Sequence, residues 1–284
     1  MERVDQSMLP DSQSYLARDK CTLYYRHYPA NTDQVMILLH GISEDGKYLH
    51  PLANMISTQN LAHVYTPDLR GYGNHPARRG DLDYIGQIED DLADFIQWIK
   101  EKQPHTQIIL AGHSAGGGTV IRFAGSKYAE LISAYLLLAP AISPNAPTTR
   151  KSDSNGYVQV SMPKIICLSL LNLPGIRAFN HLPIININKP KELLHGTETL
   201  QLSYRLAMSR MPRMKYEKDL RKITQPALVL VGEEDELFHP EQFEPLLSQY
   251  TPAKTKIIAK ANHDGILHNE ETFKEVETWM KSLC

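Results

Sequence analysis

Serine is a poor nucleophile at neutral pH. A chain that uses one for acyl transfer needs a base to take its proton, an acid to orient that base, and donors for the charge on the tetrahedral intermediate. The segment Gly112-His113-Ser114-Ala115-Gly116 follows the apolar run Ile108-Ile109-Leu110-Ala111 and precedes a helical pattern. This is the setting in which a G-x-S-x-G turn lifts a serine hydroxyl clear of a sheet. The flanking glycines tolerate close approaches that a Cβ would forbid. Ser114 is therefore the candidate nucleophile.

With an elbow of this kind the acid and then the histidine follow the nucleophile, each in a loop after a late strand. The run Ala227-Leu228-Val229-Leu230-Val231-Gly232 is followed by Glu233-Glu234-Asp235, and Asp235, three residues past the glycine, is the expected acid. Glu233 and Glu234 are rivals, because spacing alone does not say which carboxylate turns inward. The expected base is His263, in Ala261-Asn262-His263-Asp264-Gly265, after the strand-like Ile257-Ile258 and before a closing helix. There are 12 histidines, so position matters more than presence. His268 is the nearest rival, His113 lies inside the elbow where a side chain packs, and His75, His195 and His239 have no assigned partner. The backbone N–H groups of Ala115 and of Ile42, in Leu38-Leu39-His40-Gly41-Ile42, are the expected oxyanion donors.

These residues require strands that end at a common edge. Apolar segments read as strands at Leu23 to Tyr28, which suits an antiparallel edge hairpin, and at Val35 to Leu39, Ala62 to Tyr65, Gln107 to Leu110, Tyr135 to Leu138, Ala227 to Val231 and Lys256 to Ile258. Between the second and third of these parallel candidates, Ile85, Ile88, Leu92, Phe95, Ile96 and Ile99 recur at helical spacing, with Glu89, Asp90, Asp94 and Lys100 on other faces. Asn269 is placed to cap a last helix whose buried side would carry Phe273, Val276, Trp279 and Met280. The α/β rhythm stops after Ala139-Pro140 and resumes near Gln225-Pro226, so residues 142–222 read as an inserted cap of short, bent helices. That window holds 13 Lys or Arg against 5 Asp or Glu, which makes the insert basic and the rest of the chain acidic.

The 284 residues, 42% of them hydrophobic, suit one large α/β domain with an insertion. A formal net charge of −2 and the lack of a basic, aromatic-studded stripe argue against nucleic-acid binding. Cys21, Cys167 and Cys284 are widely spaced, which points to free thiols in a reducing cytosol rather than a zinc site or disulfide framework. The first seven residues lack the apolar core of an export signal. No apolar run approaches the roughly 20 residues of a spanning helix, so membrane contact is expected to be peripheral at most. No metal-ligand spacing or dinucleotide-binding glycine pattern calls for a cofactor.

Three motifs together, Gly112-His113-Ser114-Ala115-Gly116-Gly117, His40-Gly41-Ile42-Ser43-Glu44-Asp45-Gly46-Lys47-Tyr48, and Asp68-Leu69-Arg70-Gly71-Tyr72-Gly73 with Arg79-Gly80 beyond, resemble the α/β-hydrolases, in particular their monoacylglycerol lipase and lysophospholipase branch. The resemblance covers about residues 20–140 and 225–283 and departs from that branch at Tyr72 and His75. It implies a mostly parallel central sheet flanked by helices, with a core of residues 1–141 and 223–284 and a cap of residues 142–222. It also implies cofactor-free hydrolysis of carboxylic esters through an acyl-enzyme, with a single-chain lipid ester as substrate. Apolar cap residues would line the acyl pocket, and the cap's positive charge would favour anionic headgroups. Amide hydrolysis, as in related aminopeptidases, and a non-catalytic binding role on the same scaffold are the alternatives.

Overall fold

Alternation of side chains along fully buried strands decides how the layers form. The computed structural model describes residues 9–150 and 156–283, so Cys284 and the first seven residues lie outside the described residues. In chain order, β1 (Ser12–Leu16), β2 (Thr22–Tyr28), β3 (Gln34–Leu39), β4 (His63–Asp68), β5 (Gln107–His113) and β6 (Ala134–Leu138) come first. Then come β7 (Val158–Val160), β8 (Pro183–Ile187) and β9 (Gln201–Ser203), followed by β10 (Ala227–Gly232) and β11 (Lys254–Ile258). The helices are α1 (His50–Thr58), α2 (Gln87–Lys102), α3 (Ala115–Ala124), α4 (Met162–Asn172), α5 (Tyr204–Arg210), α6 (Tyr216–Leu220), α7 (Phe243–Leu247) and α8 (Glu270–Lys281).

Eight strands form one sheet in the order β1-β2-β4-β3-β5-β6-β10-β11. β2 runs antiparallel to both β1 and β4, and the remaining pairs are parallel. Val35, Ile37 and Leu39 of β3 share a core with Ile88, Phe95 and Ile99 of α2 and Val120 and Ile121 of α3. Met36 and Leu38 face the other way, into a core with Leu52 and Ile56 of α1 and Val276 and Met280 of α8. The period of two along the central strands thus fills both faces, and helices cover both.

Two local readings need correction. Ile85, expected on the buried stripe of α2, is exposed and precedes the helix, which begins at Gln87 after Gly86 in a left-handed conformation (φ 103°). Glu89, expected on a solvent face, is buried because Arg122 of α3 donates Nε–H to its Oε1 at 2.7 Å. A buried carboxylate needs such a partner, and here it comes from a neighbouring helix. α8 forms as read, with Asn269 Oδ1 accepting from the N–H of Glu271 at 2.8 Å and of Thr272 at 3.4 Å.

The segment between β6 and β10 contains more than short helices. β7, β8 and β9 make a separate antiparallel sheet in that order. The β-branched residues Ile184, Ile185 and Ile187 suit a strand there, packing their side chains into the larger core. Beside it, α4 leaves Met162, Ile166 and Leu170 exposed and buries Leu168. Among the described residues no helix is long and apolar enough to cross a membrane.

Candidate active site

β5 ends at His113, and the next residue turns the chain sharply into α3. Ser114 has φ 55° and ψ −120°, the geometry of the first central position of a type II′ turn, which ordinarily belongs to glycine. The surroundings hold it there: its N–H donates to the Leu138 carbonyl at 2.9 Å, and its carbonyl accepts from the N–H of Ala141 at 2.9 Å and of Gly118 at 3.1 Å. A Cβ on Gly116 would lie 2.2 Å from the Leu39 carbonyl oxygen, and one on Gly112 2.4 Å from the Gly116 carbonyl carbon. Both glycines are therefore required for α3 to start this close to β3 and β5.

The loops after β10 and β11 bring Asp235 and His263 together. His263 Nδ1–H donates to Asp235 Oδ2 at 2.8 Å, and both side chains are buried. The other oxygen of Asp235 accepts from the N–H of Leu237 at 2.8 Å and of Phe238 at 2.9 Å. Burial works against the Asp235 charge, but His263 and these two amides hold its carboxyl below the usual range. Burial likewise works against a charged His263, yet the bond to Asp235 outweighs it and raises the imidazole above its ordinary value. The base loop is further held by the His263 N–H, which donates to Glu236 Oε2 at 3.0 Å, and by the Phe238 ring, edge-on to the imidazole at 5.3 Å. Glu233 and Glu234, the rival acids, are exposed, and so is His268.

Among the described residues no hydrogen bond joins Ser114 Oγ to His263; their loops are tied instead through His113. Its Nε2 lies 2.9 Å from the His263 carbonyl, which can only accept, so Nε2 carries the proton. Burial and the neighbouring His263 lower the His113 pKa to about 4, so the ring is neutral and its Nδ1 accepts from the Tyr48 hydroxyl at 2.6 Å. The Tyr48 oxygen in turn accepts from the Gly41 N–H at 2.8 Å. One chain of bonds therefore links the loop after β3, the serine elbow and the histidine loop. Gly41 itself is so near Ser114 that a Cβ there would lie 3.7 Å from the serine Cβ. The N–H groups of Ile42 and Ala115 take no part in the backbone bonds among the described residues, apart from any within α3. The Ala115 N–H, in the first turn of α3, has no intrahelical acceptor.

The segment between β6 and β10 packs over this loop. Lys189 Nζ donates to Glu44 Oε1 at 2.7 Å, the Thr197 hydroxyl to Asp45 Oδ2 at 2.6 Å, and the Thr199 N–H to the Ser43 carbonyl at 3.0 Å. Ligand atoms of His113, His263 and Asp264 lie within 4.8 Å of one another. Both nitrogens of His113 and Nδ1 of His263 are already engaged in hydrogen bonds, which suits proton handling better than metal ligation. The tying roles of Tyr48 and His113 are not readable from spacing, although both residues stand inside motifs that are.

A mostly parallel eight-stranded sheet, helices on both faces and an insertion after its sixth strand are those of an α/β-hydrolase. The chain belongs to the family described as serine aminopeptidase, S33, whose model matches residues 30–272. It is similar to the monoacylglycerol lipase of Mycolicibacterium smegmatis, at 29% identity over 43% of this chain and 43% of that one, a match spanning under half of that relative. The monoglyceride lipase of Homo sapiens is 25% identical, over 91% of this chain and 86% of that one. In fold, it matches a soluble variant of the Saccharomyces cerevisiae monoglyceride lipase with a TM-score of 0.72 at 20% identity, covering 99% of this chain and 97% of that one.

Proposed function

We propose that this protein hydrolyses carboxylic esters through an acyl-enzyme, with Ser114 as nucleophile, His263 as base and then acid, and Asp235 orienting the imidazole. Ser114 Oγ attacks the ester carbonyl carbon as its proton passes to His263 Nε2, and the carbonyl electron pair moves onto oxygen. The N–H groups of Ile42 and Ala115 receive that charge, helped by the positive N-terminal end of α3. Collapse breaks the bond to the alcohol, which leaves with the proton from His263; water then repeats the sequence on the acyl-enzyme and frees the acid. The observation that carries this reading is the Asp235–His263 bond of 2.8 Å, which fixes the imidazole's tautomer and leaves Nε2 for the serine proton.

A single-chain lipid ester, a monoacylglycerol or lysophospholipid, is the substrate class we favour. The names of the relatives support it, as do the exposed apolar residues of the insertion, among them Met162, Ile166, Leu170, Leu173 and Phe179. In this reading residues 142–222 are a cap over a core of residues 1–141 and 223–284, and the apolar cap surface makes peripheral contact with lipid. The free thiols of Cys21 and Cys167 suit a cytosolic setting. The family's description as aminopeptidases supports amide hydrolysis as a second reading.

A panel of p-nitrophenyl esters of increasing chain length, a monoacylglycerol, a lysophospholipid and aminoacyl anilides separates these readings. Turnover of the lipid esters, with fluorophosphonate labelling that disappears in Ser114→Ala, is the expected result. Turnover of the anilides alone would overturn the ester assignment, and folded protein that no fluorophosphonate labels would point to a binding role.

A further inference from the structure

Arg210, the last residue of α5, is 1% exposed, and among the described residues no carboxylate pairs with it. Its Nη2 donates to the carbonyls of His40 at 2.6 Å and Gly41 at 3.0 Å. Nε and Nη1 are buried without a hydrogen-bond partner among the described residues. The Tyr72 ring lies 5.1 Å from the guanidinium carbon. A buried, uncompensated cation is unfavourable for folding, so its position asks for another reason.

The Gly41 carbonyl has a second donor. His40 Nε2 accepts from the Leu69 N–H at 3.1 Å, so its proton must sit on Nδ1, which lies 2.9 Å from the Gly41 oxygen. Two donors therefore grip one carbonyl from the protein interior. The Gly41–Ile42 peptide is trans, and in a trans peptide C=O and N–H point in opposite directions. Fixing the oxygen toward Arg210 turns the Ile42 N–H away from it. A cation and an imidazole N–H on the oxygen also polarise the amide, which makes that N–H a stronger donor.

We propose that Arg210, together with His40, is a positioning residue for the oxyanion hole: it holds the Gly41 carbonyl so that the Ile42 N–H is aimed and polarised before substrate arrives. This inference rests on the serine-hydrolase reading. A donor of this kind matters only once the oxyanion has formed, so loss of the clamp lowers kcat and spares KM.

The test is turnover of a p-nitrophenyl ester by Arg210→Met and Arg210→Gln, with thermal unfolding of each. Met removes a charge that has no carboxylate partner and roughly keeps the volume, so Tm is expected to hold or rise while kcat falls about tenfold to a hundredfold with KM within about threefold. Gln keeps a neutral donor and is expected to retain more activity than Met. That combination, lower turnover in an equally stable protein with graded recovery, is one a purely structural arginine does not give. Should Met fail to fold, Gln alone decides: kcat reduced at least fivefold at constant KM supports the clamp. A folded variant with kcat within about twofold of wild type overturns it, and failure of both variants to fold assigns Arg210 a structural role instead. Wild-type protein that resists fluorophosphonate would overturn the serine-hydrolase reading and the clamp with it; labelled wild type with an indifferent Arg210 overturns the clamp alone.

Discussion

His263 is almost enclosed by protein and still easier to protonate than an ordinary histidine, because Asp235 is bonded to it. Only the neutral ring can accept a proton from Ser114. Activity should therefore rise with pH along a limb centred above the ordinary histidine value of about 6.5. Asp235→Asn removes the charge that raises the imidazole, so the limb should shift to lower pH while kcat drops by about ten-thousandfold. A pH profile of kcat/KM for both proteins checks this, and an unshifted limb would mean that Asp235 does not govern the base. Ser114 carries a different cost. Its φ of 55° with ψ of −120° strains any residue with a Cβ by about 1–3 kcal/mol. Ser114→Gly and Ser114→Ala both lack the hydroxyl, so comparing them isolates the backbone, and Gly should be the more stable by about 1 kcal/mol in urea denaturation. Equal midpoints would show that the elbow is relaxed.

Where α3 meets β3 there is no space for even one methyl group at Gly116, since the nearest atoms are the carbonyl oxygens of Leu39 and His40. Gly116→Ala must push the helix away from the strand, which should lower stability by about 3 kcal/mol, at the upper end of overpacking effects. Loss of less than about 0.5 kcal/mol would contradict that tight contact. Elements such as β3, β5 and β10 were legible in the sequence because uninterrupted apolar runs are what strands buried on both faces require. Glu89 was misread because its partner Arg122 lies on a different helix, and no pattern within α2 announces it. The strands of the insertion were missed because Pro183 and short lengths obscured the β-branched run that follows. Spacing singled out Asp235 and His263 and kept Glu233 and Glu234 as rivals to the acid; the loop turns Asp235 inward onto His263 and leaves both glutamates exposed, a path that spacing alone does not give. Arg210 gave no signal, since one more arginine in a basic segment reads as surface.

Across the whole molecule, several histidines are held in neutral form, His40 and His113 buried and His27 half-buried. Burial, reinforced by Arg210, pushes His40 well below the ordinary value, while His113 and His27 fall to about 4. The unfolded chain protonates each near pH 6.5, so it binds more protons than the folded one below that point. Their contribution to stability is complete above about pH 6.5 and is lost progressively as pH falls toward 4. His263 works the other way: its raised value favours the fold below about pH 6.5, and that gain fades as pH climbs through its folded pKa. NMR titration of the histidine rings from about pH 7.5 to 5 checks this: His27, His40 and His113 should stay neutral down to about pH 5, and a midpoint above about 6 for any of them would refute its assignment as neutral.

Lys189, Thr197, Thr199 and Arg210 all reach from the insertion to the loop spanning residues 40–45. Such an insertion is not a detachable module. Grafting the corresponding segment of a relative onto this core, in the hope of importing its substrate preference, would strip that loop of its supports at the same moment. A working chimera would have to carry the donor's version of both pieces, because here the insertion and the loop it rests on are built as one.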